Sequence, residues 1–146
     1  MVINLVTPKS AARLVQMLHD ECRAAGRPVP PAAAWLATVV DPSEPGIEQL
    51  RRGLLSYLSA PGYGEMFAEA GFGNLVRFAR SGPRPGELLA AIPAELVAHV
   101  SLAGGERAVR ARLAEYAGAG VAEVALVPGS SDCDPAGVAT LTALAA

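Results

Sequence analysis

Cysteine is scarce in this sequence: Cys22 and Cys133 are the only two. Two cysteines cannot form the disulfide framework of a small secreted scaffold. Charge is scarce as well. Charged residues make up 18% of the chain, with a net charge of −2. That balance offers no electrostatic footprint for nucleic acid or for an anionic membrane. No apolar run approaches the ~18 residues of a membrane span. The opening Met-Val-Ile-Asn lacks the basic region and cleavage site of a signal peptide. A cytoplasmic protein is the expectation. Glycine-rich dinucleotide or P-loop fingerprints are missing. No His, Asp or base stands in a pattern with a nucleophile that would suggest a triad. His19 and Cys22 are three apart on a helix, but a metal site needs three or four ligands.

What is present is an apolar chain of 146 residues, 51% hydrophobic, enough for one domain over residues 1–146 with a sizeable core. The stretch from Val100 to Pro128 sets its plan. It reads as a loop with Gly104 and Gly105, a helix and a short strand. Val109, Leu113, Tyr116 and Ala117 recur on one helical face. Gly118 and Gly120 offer left-handed positions where that helix can stop. Val124 to Val127 form an apolar run before Pro128, as expected of a strand covered on both faces.

The same unit appears earlier. Val2 to Val6 predict a strand, and Thr7 followed by Pro8 predicts a helix start. Ala11, Leu14, Val15, Leu18 and Cys22 give that helix its apolar face, and Gly26 ends it. Ala32 to Val40 predict a second strand. Asp41 to Gly46 read as a turn, followed by a helix from about Ile47 to Leu58. Residues 61–100 read as a helical insertion of short pieces broken by glycine and proline. Five of the seven aromatic residues fall between Tyr57 and Phe78. Asp134 and Pro135 predict the start of a last helix.

Three strands, each followed by a helix, predict an α/β fold with a parallel sheet and right-handed crossovers. So few parallel strands leave faces and edges to be covered. The expected architecture is therefore part of a TIM-type (β/α) barrel: three βα units with a helical insertion before the final strand.

Three segments carry a resemblance to a known family. They are Val-Ile-Asn-Leu-Val-Thr-Pro at the start, Gly-Tyr-Gly-Glu-Met-Phe-Ala-Glu-Ala-Gly-Phe, and Ile-Pro-Ala-Glu-Leu-Val leading into the Gly104–Pro128 unit. In this order the chain resembles the carboxyl-terminal part of luciferase-like monooxygenase family proteins, in the branch that uses the deazaflavin coenzyme F420. The resemblance implies the last three βα units of a barrel. It also implies hydride transfer between coenzyme F420, or alternatively FMN, and a small organic substrate. The amino-terminal part of such a barrel has no counterpart here. The alternative is a non-catalytic half-barrel remnant or assembly subunit. It would pair with another copy as a homo-oligomer, or with a complementing amino-terminal half-barrel.

Barrels place functional groups at the carboxyl ends of their strands. That rule selects Asn4, Thr7, Lys9 and Ser10 after the first strand, and Val40 and Asp41 after the second. After the third it selects Gly129, Ser130, Ser131 and Asp132. The amide of Asn4, inside an apolar run, needs partners, which neighbouring backbone or a ligand can supply. Thr7, Lys9 and Ser10 stand at a helix amino terminus, which suits an anion and equally describes an ordinary cap. Gly129, Ser130 and Ser131 read as a phosphate loop or as a plain turn. Tyr57, Tyr63 and Phe67 read as the wall of a substrate pocket or as packing between short helices.

Overall fold

The computed structural model describes residues 1–145. The order of elements is β1 (Val2–Asn4), α1 (Pro8–Ala24), β2 (Ala33–Val40), α2 (Glu44–Leu54), α3 (Tyr63–Phe67), α4 (Gly73–Arg80), α5 (Pro85–Ala91), α6 (Ala94–Val100), β3 (Leu102–Gly104), α7 (Glu106–Gly118), β4 (Glu123–Pro128) and α8 (Val138–Leu144). The fold is α/β, and all of its strand pairs are parallel.

Strand β2 is the spine. Alternate residues of a strand turn their N–H and C=O groups to opposite sides. Ala33 and Asp41 donate to Met1 and Gly104 carbonyls, whereas Ala32 and Thr38 carbonyls accept from Ala122 and Gly129. Hence β1 and β3 lie end to end along one side of β2, and β4 takes the other side. Leu102–Gly104, read from sequence as loop, is a strand because it pairs with Thr38–Val40. Three residues ending in glycine carry no local strand signal. The pairing alone makes them one.

Register sorts the side chains onto two faces. Ile3, Ala34 and Val124 stand abreast, followed by Leu36 and Leu126. This face packs with Ala11 of α1 and with Val109 and Tyr116 of α7 in one core. Tyr116 is fully buried, and its hydroxyl donates to the Val6 carbonyl. Burial pushes its phenol above the ordinary 10.0. The opposite face carries Val2, then Asn4, Trp35 and Ala125 abreast, then Ala37 and Val127. Helix α2 and the short helices α3–α6 form a second core with Leu5 and Val39 at the carboxyl end of this face. Further back the face is open: Val2 is 60%, Trp35 53% and Val127 47% exposed. The expectation that the last strand is covered on both faces is therefore corrected. Exposure alternates along β4.

Local chemistry accounts for most helix starts. The Thr7 side chain accepts from Ser10 N–H, with Pro8 in the first turn. Ser43 accepts from Gly46 N–H, so α2 begins at Glu44 rather than near Ile47. Before α8, Pro135–Gly137 form one tight turn instead of helix. Ala136 and Gly137 there are left-handed, at φ 57° and 67°. The Asp134 carboxylate reaches past this turn to cap α8, accepting from Ala139 and Thr140 N–H at 2.8 and 3.0 Å.

Candidate functional site

The strand ends that a (β/α) plan reserves for function are strained. Leu5, just after β1, and Asp41, just after β2, are non-glycine residues at φ 54° and 47°. Such positions cost on the order of 1–3 kcal/mol each and persist only where surrounding packing fixes them. Leu5 is fixed by burial at 6% exposure. Asp41 is held by its N–H bond to the Gly104 carbonyl at 2.9 Å.

A cleft of about 390 Å³ opens between the exposed sheet face and helix α2. Its polar and aromatic lining comprises Asn4 from the end of β1, Trp35 from β2, Gln49 and Tyr57 from α2 and its continuation, and Ser130 from the loop after β4. No side chain carrying charge at neutral pH lines it. The carboxamides of Asn4 and Gln49 make no hydrogen bond among the described residues. They are therefore available to a ligand, and each can offer both a donor and an acceptor.

A second cleft of about 400 Å³ shares Asn4 and adds Ser10, Arg13, Tyr63, Glu65 and Glu69. Tyr57 and Tyr63 meet edge to face with centroids 4.8 Å apart. Because each lines one cleft, this pair forms part of the partition between the two. A third hollow, of about 350 Å³, is lined by Thr7, Lys9, Ser10, Arg13, Glu69 and His99.

The residues selected from sequence separate on this map. Asn4, Tyr57, Gly129 and Ser130 come together in the first cleft. Ser10 and Tyr63 line the second. Thr7 and Lys9 line the third hollow, where the Thr7 hydroxyl is already engaged with Ser10. Ser131 lines none of these three and accepts from Asp134 N–H through its hydroxyl. Phe67, at 1% exposure, is packed within the helical core and lines none of them either. In the polar and aromatic lining of the first cleft, two residues escaped the sequence reading, Trp35 and Gln49. In the other two clefts Arg13, Glu65, Glu69 and His99 escaped it as well. Gln49, Gly53 and Tyr57 follow a spacing of four, which on a helix marks one face. That spacing was the available signal.

The floor of the first cleft depends on close backbone approach. A Cβ on Gly129 would lie 2.7 Å from Val39 Cγ2. The loop it begins is tied down by the Ser130 hydroxyl, which accepts from Ala136 N–H at 3.0 Å. Burial raises the Asp134 carboxyl, but the Ala139 and Thr140 N–H bonds outweigh it and hold this group below the usual carboxylate range. Thr140 in turn accepts from Val40 N–H at 3.2 Å, on the side where β4 has already ended. Helix α8 thus closes the sheet edge beside the cleft.

Glu65, in the second cleft, caps α3 by accepting from Gly62 N–H at 2.6 Å, and it also receives Arg80. The Arg80 hydrogen bond, aided by backbone N–H groups, lowers its carboxyl from 4.5 to about 2. A folded-state value below the unfolded one gives stability that is fully present above pH 4.5 and lost as the pH falls toward 2. Urea midpoints of the protein and of Glu65→Gln are therefore expected to differ most at neutral pH, to draw together as the pH falls below 4.5 and to converge only near pH 2. A difference that stays constant from pH 7 to pH 2.5 would refute this role.

Among the described residues, no three His, Cys, Asp or Glu side chains gather as a metal site. No helix there is long and apolar enough to cross a membrane.

These features define an α/β protein with a parallel sheet, one face layered by helices and a cleft at the strands' carboxyl ends. The same fold is seen in a solved structure, the coenzyme F420-dependent tetrahydromethanopterin reductase from Methanopyrus kandleri. The TM-score is 0.63 and the sequence identity 20%, over 87% of this chain. The matched region spans 38% of that reductase chain. No protein-family model matches the sequence, and neither does any curated protein.

Proposed function

We propose that this chain is the carboxyl-terminal part of a luciferase-like (β/α) barrel and contributes to an oxidoreductase that uses coenzyme F420, with FMN as the alternative. The observation that carries the reading is the first cleft, placed at the carboxyl ends of parallel strands in a fold shared with an F420-dependent reductase. The cleft suits a flat heterocycle. Trp35 and Tyr57 offer ring surfaces, and Asn4 and Gln49 offer unengaged carboxamides for an edge of alternating N–H and C=O groups. A deazaflavin or flavin, when bound, supplies the hydride chemistry, and the protein supplies position and electrostatics. The uncharged lining gives nothing to an anionic tail, so a phosphate belongs toward Lys9, Arg13 and the Thr7–Ser10 end of α1. The substrate would take the second cleft, across the tyrosine pair.

Trp35 is the chain's only tryptophan, so its emission reports on this cleft directly. Titration with coenzyme F420 and with FMN is expected to quench Trp35 at micromolar concentrations. Asn4→Ala should weaken binding roughly 5- to 10-fold, as expected for one lost hydrogen bond of about 1 kcal/mol. No quenching by either cofactor at millimolar concentration would overturn the proposal. That result would favour the other reading, an assembly subunit, which the exposed face of Val2, Trp35 and Val127 supports.

A further inference from the structure

Gly53 lies in helix α2, where glycine is a poorer choice than alanine because it gives up more backbone freedom and brings no side chain. Two structural reasons ordinarily retain a glycine, and neither applies. Its φ lies outside the left-handed region, and a Cβ added to it would meet no atom within 4 Å. Gly129, in the same cleft, is by contrast pressed against Val39. Nor does Gly53 end its helix. Leu55, two residues on, is still right-handed at φ −52° and ψ −47°, and Leu58 N–H bonds back to the Leu54 carbonyl at 3.3 Å.

The remaining use of a glycine is to let a ligand approach the backbone closely. Gly53 has the position for it. It lines the first cleft together with Gln49, four residues before it, and Tyr57, four residues after. Four residues advance about 6 Å along a helix. The carboxamide and the phenol therefore stand either side of a notch whose floor is bare backbone, and Trp35 lines the same cleft from the sheet. Gly118 is a useful contrast. It is the last residue of α7, its Cβ position is equally free, and it lines none of the three clefts.

We infer that Gly53 determines what the first cleft admits. Its missing side chain leaves room for a flat ring to lie against the α2 backbone between Gln49 and Tyr57, and a larger residue there shuts such a ring out. This rests on the proposed function for the kind of ligand, and it adds the residue that sets the width of the slot. Two effects of opposite sign follow. Filling the notch strengthens the helix and weakens the binding of a ring.

The test reads Trp35 quenching and urea unfolding side by side. The probes are coenzyme F420, FMN and lumichrome, an uncharged tricyclic ring without a tail. Gly53→Ala should raise the folded-to-unfolded ratio roughly 2- to 5-fold, seen as a higher urea midpoint. It should weaken quenching by roughly 5-fold or more, as an overpacked contact does. Gly53→Leu should remain folded by far-UV dichroism and lose quenching up to millimolar probe. Gly118→Ala should raise the urea midpoint in the same way and leave quenching unchanged. Quenching of Gly53→Leu at the parent's concentrations would overturn the inference, and so would a lower urea midpoint in Gly53→Ala. Lumichrome separates that failure from failure of the oxidoreductase reading. A parent that binds lumichrome and neither cofactor, with binding lost in Gly53→Leu, sinks the oxidoreductase and upholds the slot. A parent that binds none of the three sinks both. Should Gly53→Leu fail to fold, Gly53→Ala alone decides.

Discussion

Replacing Phe67 by alanine is expected to destabilise the protein by about 3–5 kcal/mol, the usual loss when a buried phenylalanine is truncated. The reason lies in how the helical region is built. Helix α3 has 5 residues and runs on through a wide helical turn at Ala68–Phe72, kinked at Gly71, into α4, which has 8. Neither regular piece reaches the ~12–15 residues at which an isolated helix becomes even marginal in water. Their order must come from what they bury. Phe67, at 1% exposure, belongs to the same cluster as Leu58, Leu75, Val76 and Leu96. A cavity there weakens every short helix around it. Since whole domains are stable by only about 5–15 kcal/mol, the loss takes a large share. Phe67→Leu should recover most of it. The measurement is urea unfolding, followed by far-UV dichroism. It also separates two roles for this residue: a pocket wall would alter ligand titration while moving stability by less than 1 kcal/mol. That second result would return Phe67 to the substrate side.

The ambiguity at Phe67 shows where a sequence stops speaking. Tyr57, Tyr63 and Phe67 look alike in the chain, as aromatics near glycine-broken helices. Two line clefts and one is core, and only tertiary packing assigns the sides. Helix α1 was legible because its signals are local. Thr7, Pro8 and the apolar positions Ala11 and Val15 act within one element, and the structure uses each as expected. Strand β3 was not legible, since Leu102, Ala103 and Gly104 become a strand by meeting residues more than sixty positions earlier. The run Val124–Val127 was recognisable as a strand. Whether both of its faces are covered depends on which helices cross them. The crossings of α1 and α7 on one face, and the retreat of α2 to the carboxyl end of the other, are properties of chain path. No window of sequence contains them. The same holds for Trp35: alternation puts it opposite Ala34 and Leu36, but nothing nearby says which side is open.

Gly137 offers the sharpest test of how the site is held. Its φ is 67°, and the neighbouring Ala136 is left-handed as well, at 57°. A Cβ at Gly137 would fall 2.3 Å from Pro128 Cβ and 3.2 Å from the Gly129 carbonyl. Neither neighbour can yield cheaply. Pro128 is the last residue of β4, and Gly129 is pinned through its N–H to the Thr38 carbonyl at 2.9 Å. Gly137→Ala therefore adds about 1–2 kcal/mol of left-handed strain to an overpacking cost of about 1–3 kcal/mol. A loss of roughly 2–5 kcal/mol is expected on these grounds. The neighbouring Ala136→Gly should be close to neutral, because relief of its positive φ offsets the freedom gained by the unfolded chain. The consequence reaches the cleft. Pushing the turn away from Pro128 lifts α8 with it, loosening the Thr140 bond to Val40 and the Ala136 bond that fixes Ser130. In Gly137→Ala, amide exchange at Val40 should accelerate, and cofactor quenching of Trp35 should weaken even where the chain remains folded. Stability within 1 kcal/mol of the parent, or unchanged protection of Val40, would mean that α8 does not brace the strand end.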